Sequence, residues 1–302
     1  MVLEGFRPGV MARLGLDYDT LAARNPRIVY CAISGYGQDG PHVRVSGHDI
    51  NYMAQAGALQ LFAERGRQPI VPGLSIADVG GGSLTAVFGI LTALLARQTT
   101  GRGQYVDVSM LDGVVSWLTY HGADYLFAGI EPRGGERPFL GRAPCYNVYT
   151  CADGRHISLG VIEEHFWQRF CDLIERPDFK DQQWPTGSKA DEQYAEIAAR
   201  FAREDCDTWV ERLIEADVPV APVKTMQEAF DDPQIRHREM LQYVDHPVEG
   251  RIPQLGFPVK FSDTPARIKS PPPLLGEHNE EILTSCGYDE EAIRQMRDEG
   301  VV

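Results

Sequence analysis

Residues Ser83 to Gln98 form the most apolar helical segment in the chain. Leu84, Val87, Phe88, Leu91, Leu94 and Leu95 cover most of its circumference. A helix that is apolar on nearly every side must be covered by other elements, so this one is expected to be buried. The triple glycine Gly80–Gly82 precedes it, and Thr99-Thr100-Gly101-Arg102-Gly103-Gln104 ends it. Two β-rich runs frame it: Arg27 to Ser34 before, and Tyr105 to Met110 after. Alternation of strand and helix at these spacings is the pattern of an α/β fold. The stretch from Ser83 to Ala96 is too short for a membrane span, and Thr85, Gly89 and Thr92 interrupt it.

The 302 residues are enough for one or two domains with a real core. A formal net charge of −14 argues against a general nucleic-acid binder, which needs a basic face, and against anionic membranes. A polyanionic small molecule is still accessible to a local cluster of arginines. The six cysteines form no C-x-x-C pair, which signals neither a metal ribbon nor a redox motif, and no metal is expected. Reduced thiols in a cytoplasmic protein are the simplest reading, and Met1 to Gly9 has no signal-peptide pattern.

Along the chain, Pro8 to Leu16 reads as a short helix, and Asp19 can cap a second that ends at Asn25-Pro26. The glycine-rich Gly35-Tyr36-Gly37-Gln38-Asp39-Gly40-Pro41 follows the first predicted strand, where α/β folds place ligands. His48 to Leu61 has helical spacing, with Ser46 as a plausible cap. Leu111 to Leu126 reads as one further helix. Gly129 to Arg142, rich in Gly, Pro and Arg, is a linker or binding loop. Tyr146–Tyr149 and His156–Val161 form a predicted hairpin around Ala152-Asp153-Gly154-Arg155. Helices over Phe166–Ile174, Asp191–Ala202 and Asp207–Glu215 complete a smaller α+β lobe. The proline-rich Gly256 to Gly276 is extended, and Asp289 to Arg297 is a last short helix. The expected division is a large α/β domain over 1–128, a linker over 129–145, a small α+β domain over 146–250, and a return to the large domain over 251–302.

His48, Asp78 and Glu163 are the residues with the equipment for proton transfer. A histidine and a carboxylate on opposite faces of a carbon can pass a proton across it, and a second carboxylate can orient the histidine. Each residue has a plainer alternative. A histidine at a helix start is often structural, although that position favours the neutral ring that can act as a base. Asp78 can be an ordinary acid near a helix N-terminus, but Gly80, Gly81 and Gly82 would let backbone N–H groups approach a ligand oxygen. Glu163, next to Glu164, can be a solvated turn residue. Arg7, Arg137 and Arg142 are either surface arginines or phosphate clamps.

Five segments carry a resemblance: Glu4-Gly5-Phe6-Arg7-Pro8-Gly9, Ser34 to Pro41, Gly47-His48-Asp49-Ile50-Asn51-Tyr52, Thr100 to Gln104 and Leu275-Gly276-Glu277-His278. In this order they resemble the family III CoA-transferase and α-methylacyl-CoA racemase superfamily. That resemblance implies a Rossmann-like parallel-sheet large domain with a smaller α+β domain, in an interlocked homodimer. The superfamily also has a segment before the E-x-F-R-P-G motif. Because this chain starts almost at the motif, its large domain is expected to be incomplete at the N-terminus. The racemase branch carries G-H-D-I-N-Y with a catalytic histidine, matched by His48. Its catalytic aspartate follows 30 positions later, matched by Asp78, and Glu163 matches the supporting glutamate. Arg7, Asp49, Tyr52, Gly80–Gly82, Arg137 and Arg142 become the expected CoA-binding positions.

The resemblance therefore implies inversion at the α-carbon of a 2-methylacyl-CoA, with backbone donors near Asp49 and Gly80–Gly82 holding the enolate. No cofactor beyond the substrate's own CoA is expected. An alternative is CoA transfer between carboxylic acids, with Asp78 forming an aspartyl-CoA thioester. Gly73-Leu74-Ser75-Ile76-Ala77-Asp78 lacks the asparagine of the racemase stretch and looks more like the transferases. A further alternative is a truncated fragment that binds CoA without catalysis.

Overall fold

The structure, a computed structural model, describes residues 1–302. They divide into two compact units, Met1–Pro222 and Val223–Val302.

In the first unit, β1 (Val2–Glu4), β2 (Tyr30–Ser34) and β3 (Tyr105–Ser109) form a parallel sheet in that spatial order. Tyr30 stands in register with Val2 on one side and Tyr105 on the other. Tyr30, Cys31, Ala32 and Ser34 of the middle strand are buried. A parallel strand covered on both faces reads as such a continuous compact run. Helices α1 (Val10–Arg13) and α2 (Tyr18–Arg24) lie between β1 and β2. Tyr18 of α2 packs against the rings of Tyr30 and Tyr105. The cap of α2 is Asp17, not Asp19. Asp17 has extended backbone and accepts from the Thr20 N–H at 2.8 Å, whereas Asp19 already lies in the first turn.

After α3 (Asp49–Gln55), a wide π-helical stretch over Ile76–Leu84 runs directly into α4 (Thr85–Thr100). The helix thus starts seven residues before Ser83 and passes through the triple glycine, which was expected to precede it. Glycine here serves close packing. A Cβ on Gly81 would lie 2.6 Å from the Met110 carbonyl oxygen, and one on Gly80 would enter the Trp117 ring. On the opposing helix, a Cβ on Gly113 would lie 2.2 Å from the Gly81 oxygen.

Burial of α4 is one-sided, contrary to expectation. Ala86, Ile90 and Ala93 are buried, and the first two join Cys31 and Val108 in a cluster with the sheet. Leu84, Val87, Phe88, Leu91 and Leu95 are exposed, Phe88 by 73%. A sheet of three strands covers only the stripe of small residues and Ile90. The continuous helix Ile76–Thr100 has 25 residues and holds an 18-residue stretch with a mean hydropathy of 1.8, so by length and composition it is long and apolar enough to cross a membrane. The shorter Ser83–Ala96 estimate missed this because it began after the glycines.

The helix expected over Leu111–Leu126 is broken at Leu118 into α5 (Met110–Trp117) and α6 (Thr119–Ala128). Ser109 ends β3 and caps α5, its hydroxyl accepting from the Asp112 N–H at 3.1 Å. A second sheet, antiparallel, holds β4 (Tyr146–Thr150), β5 (His156–Gly160) and β6 (Val220–Pro222). The predicted hairpin is its first pair. Helices α7 (Glu164–Leu173), α8 (Ser188–Phe201) and α9 (Cys206–Glu215) supply most of the remaining core. Trp167, Phe170, Phe201 and Leu213 are fully buried there, and the Trp167 indole N–H donates to the Phe179 carbonyl at 2.9 Å.

The second unit holds α10 (Met226–Asp231), α11 (Pro233–His237), a hairpin of β7 (Leu241–His246) and β8 (Gly250–Leu255), then α12 (Asn279–Ser285) and α13 (Glu290–Asp298). The boundary expected after residue 250 falls inside β8. Residues 256–276 contain no regular element.

Because Gly81 lies against backbone rather than a movable side-chain tip, Gly81→Ala is expected to force the π-helical segment away from α5. Overpacking of this kind costs about 1–3 kcal/mol. Urea unfolding of the variant should show a lower midpoint with an unchanged slope.

Candidate active site

The site is built on the start of α3. His48 has extended backbone, φ −132° and ψ 175°, and its N–H donates to the Asn51 Oδ1 at 3.0 Å. Asn51, three residues into the turn, thereby fixes the angle at which the chain enters the helix. The cap is His48 rather than Ser46, whose hydroxyl instead accepts from the Arg7 guanidinium at 2.8 Å. Tyr52 is buried one turn later and donates its hydroxyl proton to the Gly47 carbonyl at 2.7 Å. Its ring occupies space that only glycine leaves open: a Cβ on Gly35 or Gly47 would lie 2.3 or 2.7 Å from it.

Asp49 connects this corner to the π-helical segment. Its Oδ1 accepts from the Ala77 N–H at 2.6 Å and the Asp78 N–H at 2.9 Å. These amides lie in the first turn of Ile76–Leu84, where backbone donors have no partner within the helix. Hydrogen bonds to a charged group contribute roughly 1.5–3 kcal/mol, less where water competes. Asp78 is thereby held within the electrostatic reach of His48. Burial, and then the Asp49 charge, push the Asp78 carboxyl above its ordinary value, while His48 acts in the opposite direction.

A cleft of about 200 Å³ adjoins this corner, bounded by Arg7, Ser34, Gly35, Tyr36, Ser46 and Tyr52 among others. Tyr52 links the cleft to Asp78. Its phenol is pushed up by burial first, then by Tyr36 and Asp78, against the pull of Arg7. Ser34 is 8% exposed, and its hydroxyl is buried with no hydrogen-bond partner. Sequence reading marked the loop after β2 as a ligand position but named none of Ser34, Gly35, Tyr36 or Ser46 as site residues. The glycines crowded around one tyrosine were the available signal.

Other expected residues lie elsewhere. Glu163 is the exposed cap of α7, and its backbone carbonyl accepts from the Trp167 N–H at 3.0 Å. No hydrogen bond or ion pair joins it to His48 within one chain. Arg137 pairs with Asp124 at 2.8 Å, and Arg142 is bonded to Asp191 and the Gly187 carbonyl. Both guanidinium groups are therefore engaged within the chain rather than presented to a phosphate. Gly80–Gly82 face α5 and are buried, so their role is packing rather than approach to a ligand. No cluster of three or more His, Cys, Asp or Glu side chains is arranged to hold a metal ion.

What this arrangement can do chemically is move a proton. An imidazole and a carboxyl of raised pKa stand at the same corner, next to a cleft with one arginine at its edge. The two groups occupy the starts of different elements.

The sequence profile of CoA-transferase family III matches residues 1–279. The chain is 34% identical to an acyl-CoA transferase of Fusarium pseudograminearum, over all of this chain and 67% of that protein. It is 32% identical to human alpha-methylacyl-CoA racemase, over all of this chain and 78% of the relative. Against the succinyl-CoA:mesaconate CoA-transferase of Haloarcula marismortui, identity is 33% over 96% of this chain and 74% of the other. Among solved structures, a CAIB/BAIF family protein from Brucella suis superposes with a TM-score of 0.79 at 28% identity, covering 94% of this chain and 75% of that one. Rv3272 of Mycobacterium tuberculosis gives 0.76 at 28%, covering 92% and 75%. With a family match over most of its length and a parallel-sheet fold to accompany it, the chain belongs to CoA-transferase family III.

Proposed function

We propose that the chain acts on an acyl-CoA thioester and inverts its α-carbon by moving a proton between His48 and Asp78. The observation that carries this reading is the Asp49 bridge, which fixes the start of Asp78's helix against the turn that begins with His48. A thioester acidifies the proton on its α-carbon. Neutral His48 takes it from one face while the carboxylic acid form of Asp78 returns one to the other. In the reverse direction the Asp78 carboxylate is the base and the His48 imidazolium the acid. A carboxyl raised toward neutrality is better matched to this exchange than an ordinary aspartate. Arg7, at the edge of the cleft, is the proposed contact for CoA phosphate.

The same reading includes a homodimer. Glu163 is exposed and unbonded to His48 within one chain, which fits a second copy supplying it as the group that orients the histidine. A neighbouring carboxylate selects which ring nitrogen carries the proton.

CoA transfer is the second reading, favoured by relatives named as transferases and by the Ser75-Ile76-Ala77-Asp78 stretch. Here an Asp78 carboxylate oxygen attacks the thioester carbonyl and expels CoA thiolate, leaving a mixed anhydride. The thiolate then attacks the Asp78 acyl carbon, giving an aspartyl-CoA thioester and the free acid.

Incubating one enantiomer of a 2-methylacyl-CoA in deuterated water separates the two. Inversion should incorporate α-deuterium and give both enantiomers, and His48→Ala should lower the rate by about 10²–10⁴-fold. No α-deuterium, together with hydroxylamine trapping at Asp78, would establish transfer instead. The pH profile adds a second check. Burial and the Asp49 charge raise the Asp78 carboxyl above 3.8, so the direction that uses Asp78 as the base should lose activity as pH falls through that raised value. An acid limb at or below 3.8 would contradict the assignment.

A further inference from the structure

We propose that the Asp49 side chain is a positioning residue, which aims Asp78 by holding the first amides of its helix. This deepens the proton-transfer reading and rests on it for its catalytic meaning.

The geometry consists of two bonds from one oxygen. Oδ1 of Asp49 receives the N–H groups of Ala77 and Asp78, which lie 28 and 29 residues further along the chain. Ala77 is fully buried, so its N–H has no alternative partner in water. A buried donor stripped of its acceptor bears the full cost of desolvation, which makes this an anchor rather than a chance contact. Asp49 is also the residue after His48. One backbone segment therefore carries the histidine at the cap and, through the next side chain, the mooring of the aspartate. A shift of the turn moves both groups together.

Charge gives the second effect. The groups facing Asp78 from α3 are His48, Asp49 and Tyr52. On α5, Asp112 acts on Asp107 of β3. On α4, Arg97 lies at the far end, bonded to the Arg27 carbonyl. Asp49 is the anion that acts on Asp78, reinforcing burial and opposing the pull of His48.

Two variants divide these effects. Asp49→Asn keeps an acceptor oxygen but loses the charge, and Asp49→Ala loses both. The readouts are the titration of the Asp78 carboxyl by carbon NMR of the full chain and hydrogen exchange at the Ala77 and Asp78 amides. Neither needs substrate. Both variants should lower the Asp78 midpoint. Asp49→Ala should also speed exchange at the two amides by about tenfold or more, while Asp49→Asn stays near the parent rate. In turnover, Asp49→Asn should move the acid limb to lower pH. An unchanged Asp78 midpoint in Asp49→Asn overturns the electrostatic part. Parent-like amide exchange in Asp49→Ala overturns the anchoring part. If Asp49→Ala does not fold, Asp49→Ser, whose shorter side chain draws the acceptor back, takes its place: faster exchange at the two amides supports the anchor, and parent-like exchange at both overturns it. A chain that neither exchanges the α-proton nor transfers CoA would defeat the functional reading alone, leaving the titration and exchange results to decide the role of Asp49.

Discussion

Two helix backbones meet without side chains between them where Gly81 of the π-helical segment lies against Gly113 of α5. Everything at the candidate site depends on that approach. It seats the Ile76–Leu84 turn deep enough for its first amides to reach the Asp49 carboxylate. Asp78 is in that turn, and His48 is the residue before Asp49. A contact of glycine on glycine thus supports the Asp49 bridge between two groups that are 30 positions apart in the chain. The energy involved is modest at any one bond. The arrangement is specific because backbone, unlike side-chain tips, cannot yield to an added methyl group.

Much of this was legible in the sequence, for identifiable reasons. The middle strand was recognisable because burial on both faces demands a compact apolar run, and the Tyr146–Gly160 hairpin because a short polar turn divides two alternating segments. His48 and Asp78 could be picked out because their residue types and their neighbours suggest proton chemistry. What escaped was whatever depends on a distant partner. Nothing near Arg137 or Arg142 announces Asp124 or Asp191 as the acceptors that occupy them. The glycines before Ser83 read as the approach to the helix and not as part of it, because glycine weakens an isolated helix. Tertiary packing reversed that preference, since the same missing side chains admit α5. Asp17 and Asp19 are equivalent as caps by type, and only the backbone angles distinguish them.

The misjudged burial of α4 has a related origin. An all-round apolar helix implies an all-round cover, but periodicity says nothing of where that cover comes from. The three-stranded sheet takes the Ala86, Ile90 and Ala93 stripe, and the larger residues face outward. Glu163 poses the same kind of question at the site, standing exposed on α7 while the histidine it is proposed to orient lies in another part of the chain.

The central claim is that His48 and Asp78 serve as separate bases for opposite faces of one carbon. Enantiomer-resolved α-proton exchange in deuterated water, carried out on His48→Ala and Asp78→Asn, tests it most directly. Each variant should retain measurable exchange with one enantiomer only, the retained enantiomer should differ between the two variants, and neither should racemise its substrate. Exchange confined to the same enantiomer in both variants, or racemisation by Asp78→Asn at the parent rate, would contradict it.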